Sequence, residues 1–349
     1  MNSEIKHFYS ANGSFGYQRG LNNGLLILNI FETKINYYSD SIKLWLKLSC
    51  SVIQPTKCYA QNTYKELQDM IHGLSDYIID NGIENLFYTA HQIIWMLNTE
   101  YEMFLSTKGN SLYDKGCSAV ALTVGNKSYV AQTNDESPEL WGDNGILMIY
   151  DSHLLIYTHP GYCSYFGMNQ YGISVMWQYI DNGKRGESHM SVPTNIVLRE
   201  LLFLQTTKQQ CDYLKTISMI VPNNIIISDT SETINIEKDI NTYTIISQPH
   251  SNESFGLAHT NHFIHGYVYQ SDNPKLQNSI IRYKALQSYL SENSKTLTSL
   301  QTLLTEHPIL RENNSTLFGC IFQHNNLSCY FFFKNKEPVQ WLFVNLTCG

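Results

Sequence analysis

The spacing of apolar positions along the chain changes near residue 117. Between residues 21 and 102 they recur at i, i+3, i+4 and i+7, which predicts amphipathic helices. Residues 105–116 are polar and contain two glycines, a composition typical of an exposed linker. From Cys117 onward short apolar runs predict strands. The first two runs predict a hairpin whose turn lies at Gly125 and Asn126.

The remainder of the chain groups its predicted strands and helices in runs, and no internal repeat interrupts them. Further helices are predicted within 193–205, 207–220, 274–290 and 297–307, and strands within 146–160, 171–180, 223–229, 232–238, 241–247, 315–322, 327–333 and 339–346. Such grouping, without strict alternation, predicts an α+β fold of layered sheets and helices. A glycine-dense segment at residues 13–24 suits close backbone packing near the start of the chain.

Composition narrows the class of protein. Hydrophobic residues make up 43% of the chain and charged residues 15%, which is enough to bury a full core. The net charge is −7 and no basic stripe is present, which argues against nucleic acid as a partner. No segment approaches 18 continuous apolar residues, and the N-terminus lacks an apolar signal region. We therefore expect no membrane span and a cytoplasmic location.

Among eight scattered cysteines, Cys117 stands at the junction between the predicted linker and the first strand. Gly116 before it leaves room on the acyl side of the peptide bond, because glycine has no Cβ. Attack by the Cys117 thiol on the carbonyl of Gly116, followed by hydrolysis, would free an N-terminal cysteine. Its α-amine, with a pKa of about 7.7–8.0, could then serve as the base. The alternative is a small apolar cysteine that opens a strand.

Two further polar residues are candidates for the same site. Asp135 lies at the end of the second hairpin strand, and a two-strand hairpin returns that end to the start of the first. Its carboxylate could orient the α-amine, although it could also be an ordinary turn aspartate. Asn261 offers a side-chain amide suited to an oxyanion, or it could bind only loop backbone. His259 and His262 flank it with no second Cys/His pair nearby, so we predict no metal and no cofactor.

A glycine-punctuated loop is predicted between residues 158 and 172. Gly161 and Gly167 allow close backbone approach, and we expect them to lie beside a substrate pocket. Asn134, Asn169, His259 and His262 are further candidates to line that pocket. The loop also carries Cys163, which permits an alternative as a papain-like thiol protease. Papain-type cysteines sit at a helix N-terminus, whereas this one lies among strands.

Ten segments in order resemble the isopenicillin N acyltransferase family, a branch of the Ntn hydrolases. They are GYQRGLNNG, MLNTEYE, GCSAVAL, AQTNDE, GYCSYFGMNQYGISV, PTNIVLRELL, NNIIISD with Ile236-Glu237, AHTNHF, NSIIRYKAL and STLFGCIF. The resemblance implies a four-layer αββα sandwich and autoproteolysis between Gly116 and Cys117. It implies Cys117 as nucleophile, its α-amine as base, Asp135 as holder of that amine and Asn261 at the oxyanion. The implied products, residues 1–116 and 117–349, remain associated as an α/β heterodimer.

One departure from the family concerns charge. Penicillin-type members carry an arginine three residues before T-L-F, where this chain has Asn313. Arg311, two residues away, is the candidate to fill the same space.

The sequence therefore predicts an autoproteolytic C–N amide hydrolase or acyltransferase. It would act through a Cys117 acyl-enzyme on small N-acyl amines, peptide-like secondary metabolites or acyl-CoA. The alternatives are the papain-like protease using Cys163 and a catalytically silent binding protein of the same fold.

Overall fold

The computed structural model describes residues 4–8, 14–101, 116–141, 145–150, 153–180, 182, 184–250, 256–265, 274–311, 315–334 and 338–346. The predicted linker, apart from Gly116, lies outside these residues, and so does Asn313.

The helices follow the predicted periodicity. In α5, for example, Leu67, Met70, Ile71 and Leu74 are buried on one face, spaced as an amphipathic helix requires. The helix bounds are α1 (Phe15–Asn22), α2 (Gly24–Tyr37), α3 (Ile42–Ser51), α4 (Ile53–Tyr59), α5 (Gln61–Asp80), α6 (Ala90–Leu97), α7 (Pro138–Trp141), α8 (Thr194–Leu201), α9 (Thr207–Thr216), α10 (Pro274–Ser291) and α11 (Leu297–Thr305).

The strands form two sheets within the described residues. One has the order β1-β4-β5-β6-β7-β8-β9-β10, and the other has the order β11-β2-β3-β12-β13-β14. The bounds are β1 (Glu4–Phe8), β2 (Gly116–Val124), β3 (Lys127–Asp135), β4 (Ile146–Tyr150), β5 (Leu154–Thr158), β6 (Phe166–Asn169), β7 (Ser174–Tyr179), β8 (Asn223–Ser228), β9 (Glu232–Lys238), β10 (Tyr243–Pro249), β11 (Gly256–His259), β12 (Thr316–Gln323), β13 (Ser328–Phe333) and β14 (Leu342–Asn345).

Four layers result from the packing of these elements. The two sheets face each other, with β2 against β7, and the shared core includes Ala119 and Phe318 from one sheet and Val175 from the other. Helices α8 and α9 cover the outer face of the eight-stranded sheet. Helices α10 and α11 cover the six-stranded sheet through a second core that contains Val120 and Leu286. The predicted αββα arrangement is confirmed.

Helix α1 lies within the glycine-dense segment, where only close backbone packing was predicted. The side chain of Ser14 caps α1 by accepting from the backbone N–H of Tyr17. A Cβ on Gly16 would lie 2.3 Å from the carbonyl oxygen of Glu66, and one on Gly20 would lie 2.1 Å from that of Met70. These glycines therefore allow α1 to pack directly against the backbone of α5, which is the close approach that their density suggested.

The loop was predicted over residues 158–172, but the short strand β6 lies within that range, so the true loop is shorter than predicted. Gly167 pairs with Ile156 of β5 and with Val175 of β7. Because β6 lies between two neighbours, its pairing depends on tertiary contacts that four residues of sequence do not signal.

A buried ion cluster joins the first third of the chain to the rest. Arg19 and Arg199 both bind Glu66, at 2.6 Å to Oε1 and 2.7 Å to Oε2 respectively. Arg19 also donates to the carbonyl oxygen of Tyr162. All three charged side chains are nearly inaccessible to solvent. Loss of one partner would leave a buried charge unpaired, which would strongly destabilise the fold.

Candidate functional site

Cys117 is positioned by the hairpin of β2 and β3. Gly125, with φ +60°, makes the tight turn, and the register pairs Gly116 with Asp135 and Cys117 with Asn134. The Cys117 side chain is 5% exposed, and its thiol lies 3.8 Å from Oδ1 of Asn134. The predicted proximity of Cys117 and Asp135 therefore follows from the strand pairing.

Asn261 reaches the same point from the edge of the sheet. Strand β11 pairs with β2 and ends with His259 opposite Ala119, so the following residues pass over the start of β2. The backbone N–H of Cys117 donates to Oδ1 of Asn261 at 2.8 Å. The Nδ2 of Asn261 donates to the carbonyl oxygen of Tyr179, at the end of β7, also at 2.8 Å. Asn261 therefore bridges the two sheets at the nitrogen of Cys117.

Arg282 of α10 connects these groups. Its guanidinium donates to the carbonyl oxygen of Cys117 at 2.5 Å, to Oγ of Ser118 at 2.8 Å and to Oδ1 of Asn261 at 2.8 Å. An arginine can only donate, so the amide of Asn261 must present its oxygen to Arg282 and to the Cys117 nitrogen. Arg282 thus fixes the orientation of the amide as well as its position.

Asp135 is the residue of β3 that pairs with Gly116. Its Oδ1 accepts from Oγ1 of Thr316 at 2.7 Å, and its Oδ2 lies 3.8 Å from Nη1 of Arg311. Burial raises the pKa of Asp135 to about 6, although the positive charge of Arg282 and the Thr316 hydrogen bond act to lower it. The carboxyl group is therefore mostly ionised at neutral pH and becomes protonated below about pH 6.

The thiol of Cys117 is held in its protonated form. Burial raises its pKa above the ordinary range, and the negative charges of Asp135 and Glu136 raise it further. A standing thiolate is consequently not available at neutral pH. Nucleophilic attack by this group needs a base that removes the proton during the reaction.

Comparison with known proteins identifies a family for this chain. Residues 122–338, more than half of the chain, match the family described as acyl-coenzyme A:6-aminopenicillanic acid acyl-transferase. The chain belongs to this family. The predicted resemblance to the isopenicillin N acyltransferase family of Ntn hydrolases is thereby confirmed, and the chain is a member of an acyltransferase family. The matched region begins five residues after Cys117.

Other comparisons are more distant. No protein of curated function matches the sequence. Penicillin V acylase from Agrobacterium tumefaciens aligns with a TM-score of 0.40 and 12% identity, over 66% of this chain and 86% of that one. A mutant of the conjugated bile acid hydrolase from Clostridium perfringens aligns with a TM-score of 0.41 and 11% identity, over 67% and 93% of the two chains.

The loop that carries Asn261 in this acyltransferase-family chain is held by Glu237 of β9. Glu237 accepts from Nε2 of His259 at 2.8 Å and from the backbone N–H groups of Ile264 and His265 at 2.6 and 2.9 Å. Burial alone would raise the pKa of Glu237, but these donors and the charge of His259 bring it below its ordinary value. One carboxylate of the eight-stranded sheet therefore fixes both ends of the loop.

We expect Glu237→Gln to loosen this loop, because the new amide places its own N–H hydrogens against a backbone donor. The substitution should destabilise the protein by roughly 3–5 kcal/mol, as for other broken buried ion pairs. Thermal unfolding measures the loss. Glu187→Gln is a matched control, since Glu187 pairs with His189 on the surface, where the side chains are 73% and 66% exposed. An equal, small effect of both substitutions would contradict this role of Glu237.

Among the other predicted pocket residues, Asn134 contacts the thiol and the two histidines bind within the Asn261 loop and its neighbours. Asn134 contacts Cys117 directly. His262 binds Oγ of Ser279, and burial lowers its pKa to about 4. His259 is fully buried with Nδ1 against the carbonyl oxygen of Thr260 and Nε2 against Glu237, so both ring nitrogens are engaged. The two histidines thus brace the Asn261 loop.

The predicted pocket residues around β6 contact the sheet and its helices. A Cβ on Gly161 would lie 2.6 Å from Leu97, and one on Gly167 would lie 2.5 Å from the carbonyl oxygen of Leu155. Asn169 binds the carbonyl oxygens of Leu202 and Leu204. These contacts place the three residues in the packing of the eight-stranded sheet.

Cys163 occupies a structural position. Its backbone N–H donates to Oδ1 of Asn98, whose Nδ2 binds the carbonyl oxygen of Gly161, so α6 anchors this loop. The thiol is fully buried, and burial raises its pKa despite the nearby charge of Arg19. The element that follows Cys163 is strand β6, whereas papain-type cysteines sit at a helix N-terminus.

Sequence reasoning gave no role to Arg282, Thr316 or Glu237, although each lies in a segment that resembles the family. A helical signal for Arg282 does exist, because Ser279 and Arg282 are three residues apart and so share one face of α10. The hydroxyl of Ser279 accepts from the backbone N–H of Asn261, and the guanidinium of Arg282 donates to the side-chain oxygen of Asn261.

The structure also bears on metals and membranes within the part of the chain that it describes. There, no three His, Cys, Asp or Glu side chains form a group that could hold a metal ion. None of the described helices has the length and apolar character needed to cross a bilayer.

Proposed function

We propose that this protein cuts its own chain between Gly116 and Cys117 and then acts as an Ntn-type amide hydrolase or acyltransferase with Cys117 as nucleophile. The α-amine freed by the cut is the base, Asp135 and Asn261 hold it, and Arg282 fixes their arrangement. The expected pieces are residues 1–116 and 117–349, which remain together.

One observation carries this proposal. The nitrogen of Cys117 is already held by Oδ1 of Asn261 at 2.8 Å, inside a buried cluster that also contains Arg282 and Asp135. Cys117 is the second residue of β2 and lies beyond the end of β11, and its peptide nitrogen has a side-chain acceptor that is itself fixed by an arginine. An α-amine that must present its lone pair to a neighbouring thiol does need such support.

Self-cleavage then follows from the chemistry of the Gly116 carbonyl. The Cys117 sulfur bonds to the carbonyl carbon, the carbon–nitrogen bond breaks, and the thiol proton ends on the new amine. Water hydrolyses the resulting thioester, which releases the carboxylate of Gly116 and restores the thiol. The raised pKa of Cys117 fits this sequence, because the thiol stays protonated until a base takes its proton.

Turnover repeats the same steps with a substrate carbonyl. The α-amine, with a pKa of about 7.7–8.0, takes the thiol proton as sulfur attacks and returns it to the departing amine or thiolate. Nδ2 of Asn261 has a second hydrogen besides the one given to Tyr179, and that hydrogen can bind the oxyanion. The acyl group then passes from Cys117 to water or to an amine.

The substrates that we propose are small N-acyl amines, peptide-like amides and acyl-CoA thioesters. The description of the matched family, an acyl-coenzyme A-dependent acyltransferase, supports this class. Thioester and amide carbonyls accept the same thiol attack, so a single site can use both.

The test begins with the intact mass of the purified protein and with N-terminal sequencing. We expect two fragments, the larger of which begins at Cys117, and acyl transfer or hydrolysis with a panel of N-acyl amines and acyl-CoA thioesters. An active protein in which residue 116 is still joined to residue 117 contradicts the proposal. A single uncut chain that resists a thiol-directed probe would instead indicate a binding protein of the same fold.

A further inference from the structure

The α-carbon of Gly116 lies against a wall of charged side chains. A Cβ built on it would lie 2.8 Å from Nη2 of Arg282, 2.9 Å from Oδ2 of Asp135 and 3.2 Å from Oδ1 of Asn261. Carbon atoms in proteins essentially never approach such groups closer than 3 Å. An L side chain on the α-carbon next to the scissile carbonyl would therefore clash with Arg282 and Asp135.

This wall has little freedom to move away. Arg282 is 1% exposed, and besides its bonds to Cys117, Ser118 and Asn261 it donates from Nε to Asn278 at 2.9 Å. Asp135 is also 1% exposed and is held by Thr316. An arginine on the surface could swing aside for a methyl group, whereas this one would have to break several buried hydrogen bonds.

The same wall faces a substrate if Cys117 is the nucleophile, as the proposed function holds. In self-cleavage the sulfur attacks the carbonyl of Gly116, and in turnover the same sulfur attacks a substrate carbonyl. The acyl carbon next to the substrate carbonyl must then take the place of the Gly116 α-carbon.

We propose that the enzyme selects acyl groups that carry no substituent at the L side-chain position of the carbon next to the carbonyl. Straight-chain and glycyl-type acyl groups are its substrates, and L-aminoacyl groups with a side chain are rejected. Arg282 and Asp135 are the residues that determine this specificity.

The test uses the mature, self-cut protein and three benzyl thioesters, those of N-acetylglycine, N-acetyl-L-alanine and N-acetyl-β-alanine. The last two have identical composition, but only the L-alanine ester is branched next to the carbonyl. Acylation is followed by the mass of the fragment that begins at Cys117. Each rate is divided by the rate of the same thioester with free cysteine ethyl ester, which removes intrinsic differences in reactivity.

We expect the glycine thioester to react roughly 10- to 200-fold faster than the L-alanine thioester, the range by which a pocket discriminates one methylene group. The β-alanine thioester should react within about tenfold of the glycine one. Equal rates for glycine and L-alanine overturn the proposal, and so does a β-alanine rate as low as that of L-alanine, since acyl size would then be the cause.

A variant of Arg282 tests whether this residue causes the discrimination between the acyl groups. Arg282→Lys removes Nη2 and should lower all three rates but narrow the ratio between glycine and L-alanine thioesters. An unchanged ratio would assign the discrimination to other residues and contradict the role of Arg282. The proposed function fails in a different way: the chain stays uncut and no thioester labels Cys117. If the protein cuts itself but none of the three thioesters acylates it, the proposed specificity is contradicted and the proposed self-cleavage is not.

Discussion

Replacing Cys117 by alanine is expected to leave the 349-residue chain in one piece and without acyl-transfer activity. The substitution removes the sulfur that attacks the Gly116 carbonyl, and the α-amine needed as base is never released. Its structural cost should be small, because the side chain is small and its hydrogen bond to Asn134 is long, at 3.8 Å. Intact mass and thermal unfolding separate the two effects.

Cys163→Ala is the matched control for this experiment. Both thiols are buried and both have a raised pKa, but Cys163 lies against Asn98 and Arg19, outside the Cys117 cluster. We expect Cys163→Ala to be cut to the same extent as the wild type. Loss of activity in Cys163→Ala together with retained activity in Cys117→Ala would support the papain-like alternative and exclude Cys117 as nucleophile.

Arg282→Met is expected to slow self-cleavage by about 100- to 1000-fold, the loss that follows removal of one preorganised donor from such a site. The substitution leaves Oδ1 of Asn261 without its fixing donor and the Asp135 carboxylate without its main positive neighbour. Since Arg282 lowers the pKa of Asp135, its removal should raise that pKa above about 6. The acid side of the pH profile for cleavage should then move to higher pH.

The controls for Arg282 lie on its own helix. Lys284→Met removes a positive charge from the exposed face of α10 and should change neither the cleavage rate nor its pH profile. Arg282→Lys keeps the charge but cannot make the forked contacts, so it should cleave at an intermediate rate with a smaller pH shift. A wild-type pH profile in a folded Arg282→Met protein would show that Arg282 does not act on Asp135.

The hairpin at the centre of the site could be predicted from sequence because its contacts are local. A two-residue turn at Gly125 and Asn126 fixes the strand register, which brings Asp135 back to Gly116. No comparable local rule brings Asn261 to Cys117. Strand β11 pairs with β2 across more than 130 residues, so Asn261 was predicted from the chemistry of its amide and from family resemblance, without a local rule that placed it beside Cys117.

The remaining parts of the site depend on tertiary docking. Arg282 reaches Cys117 only because α10 packs on β2 and β11. Glu237 reaches the Asn261 loop only because the two sheets face each other. Strand β6 and helix α1 were missed for a related reason, since their formation depends on neighbouring strands and on the backbone of α5. Arg311 was predicted near the site because it lies two residues from the position of the family arginine, and its Nη1 lies 3.8 Å from Asp135.

The buried cluster of Glu66 with Arg19 and Arg199 acquires a second meaning if the chain is cut at Gly116. Glu66 and Arg19 then belong to one polypeptide, and Arg199 and the Tyr162 carbonyl belong to another. Unfolding becomes a dissociation, so the melting temperature should rise with enzyme concentration. Protein denatured after maturation would have to find its partner in solution before it could refold, whereas the nascent chain folds with both halves tethered.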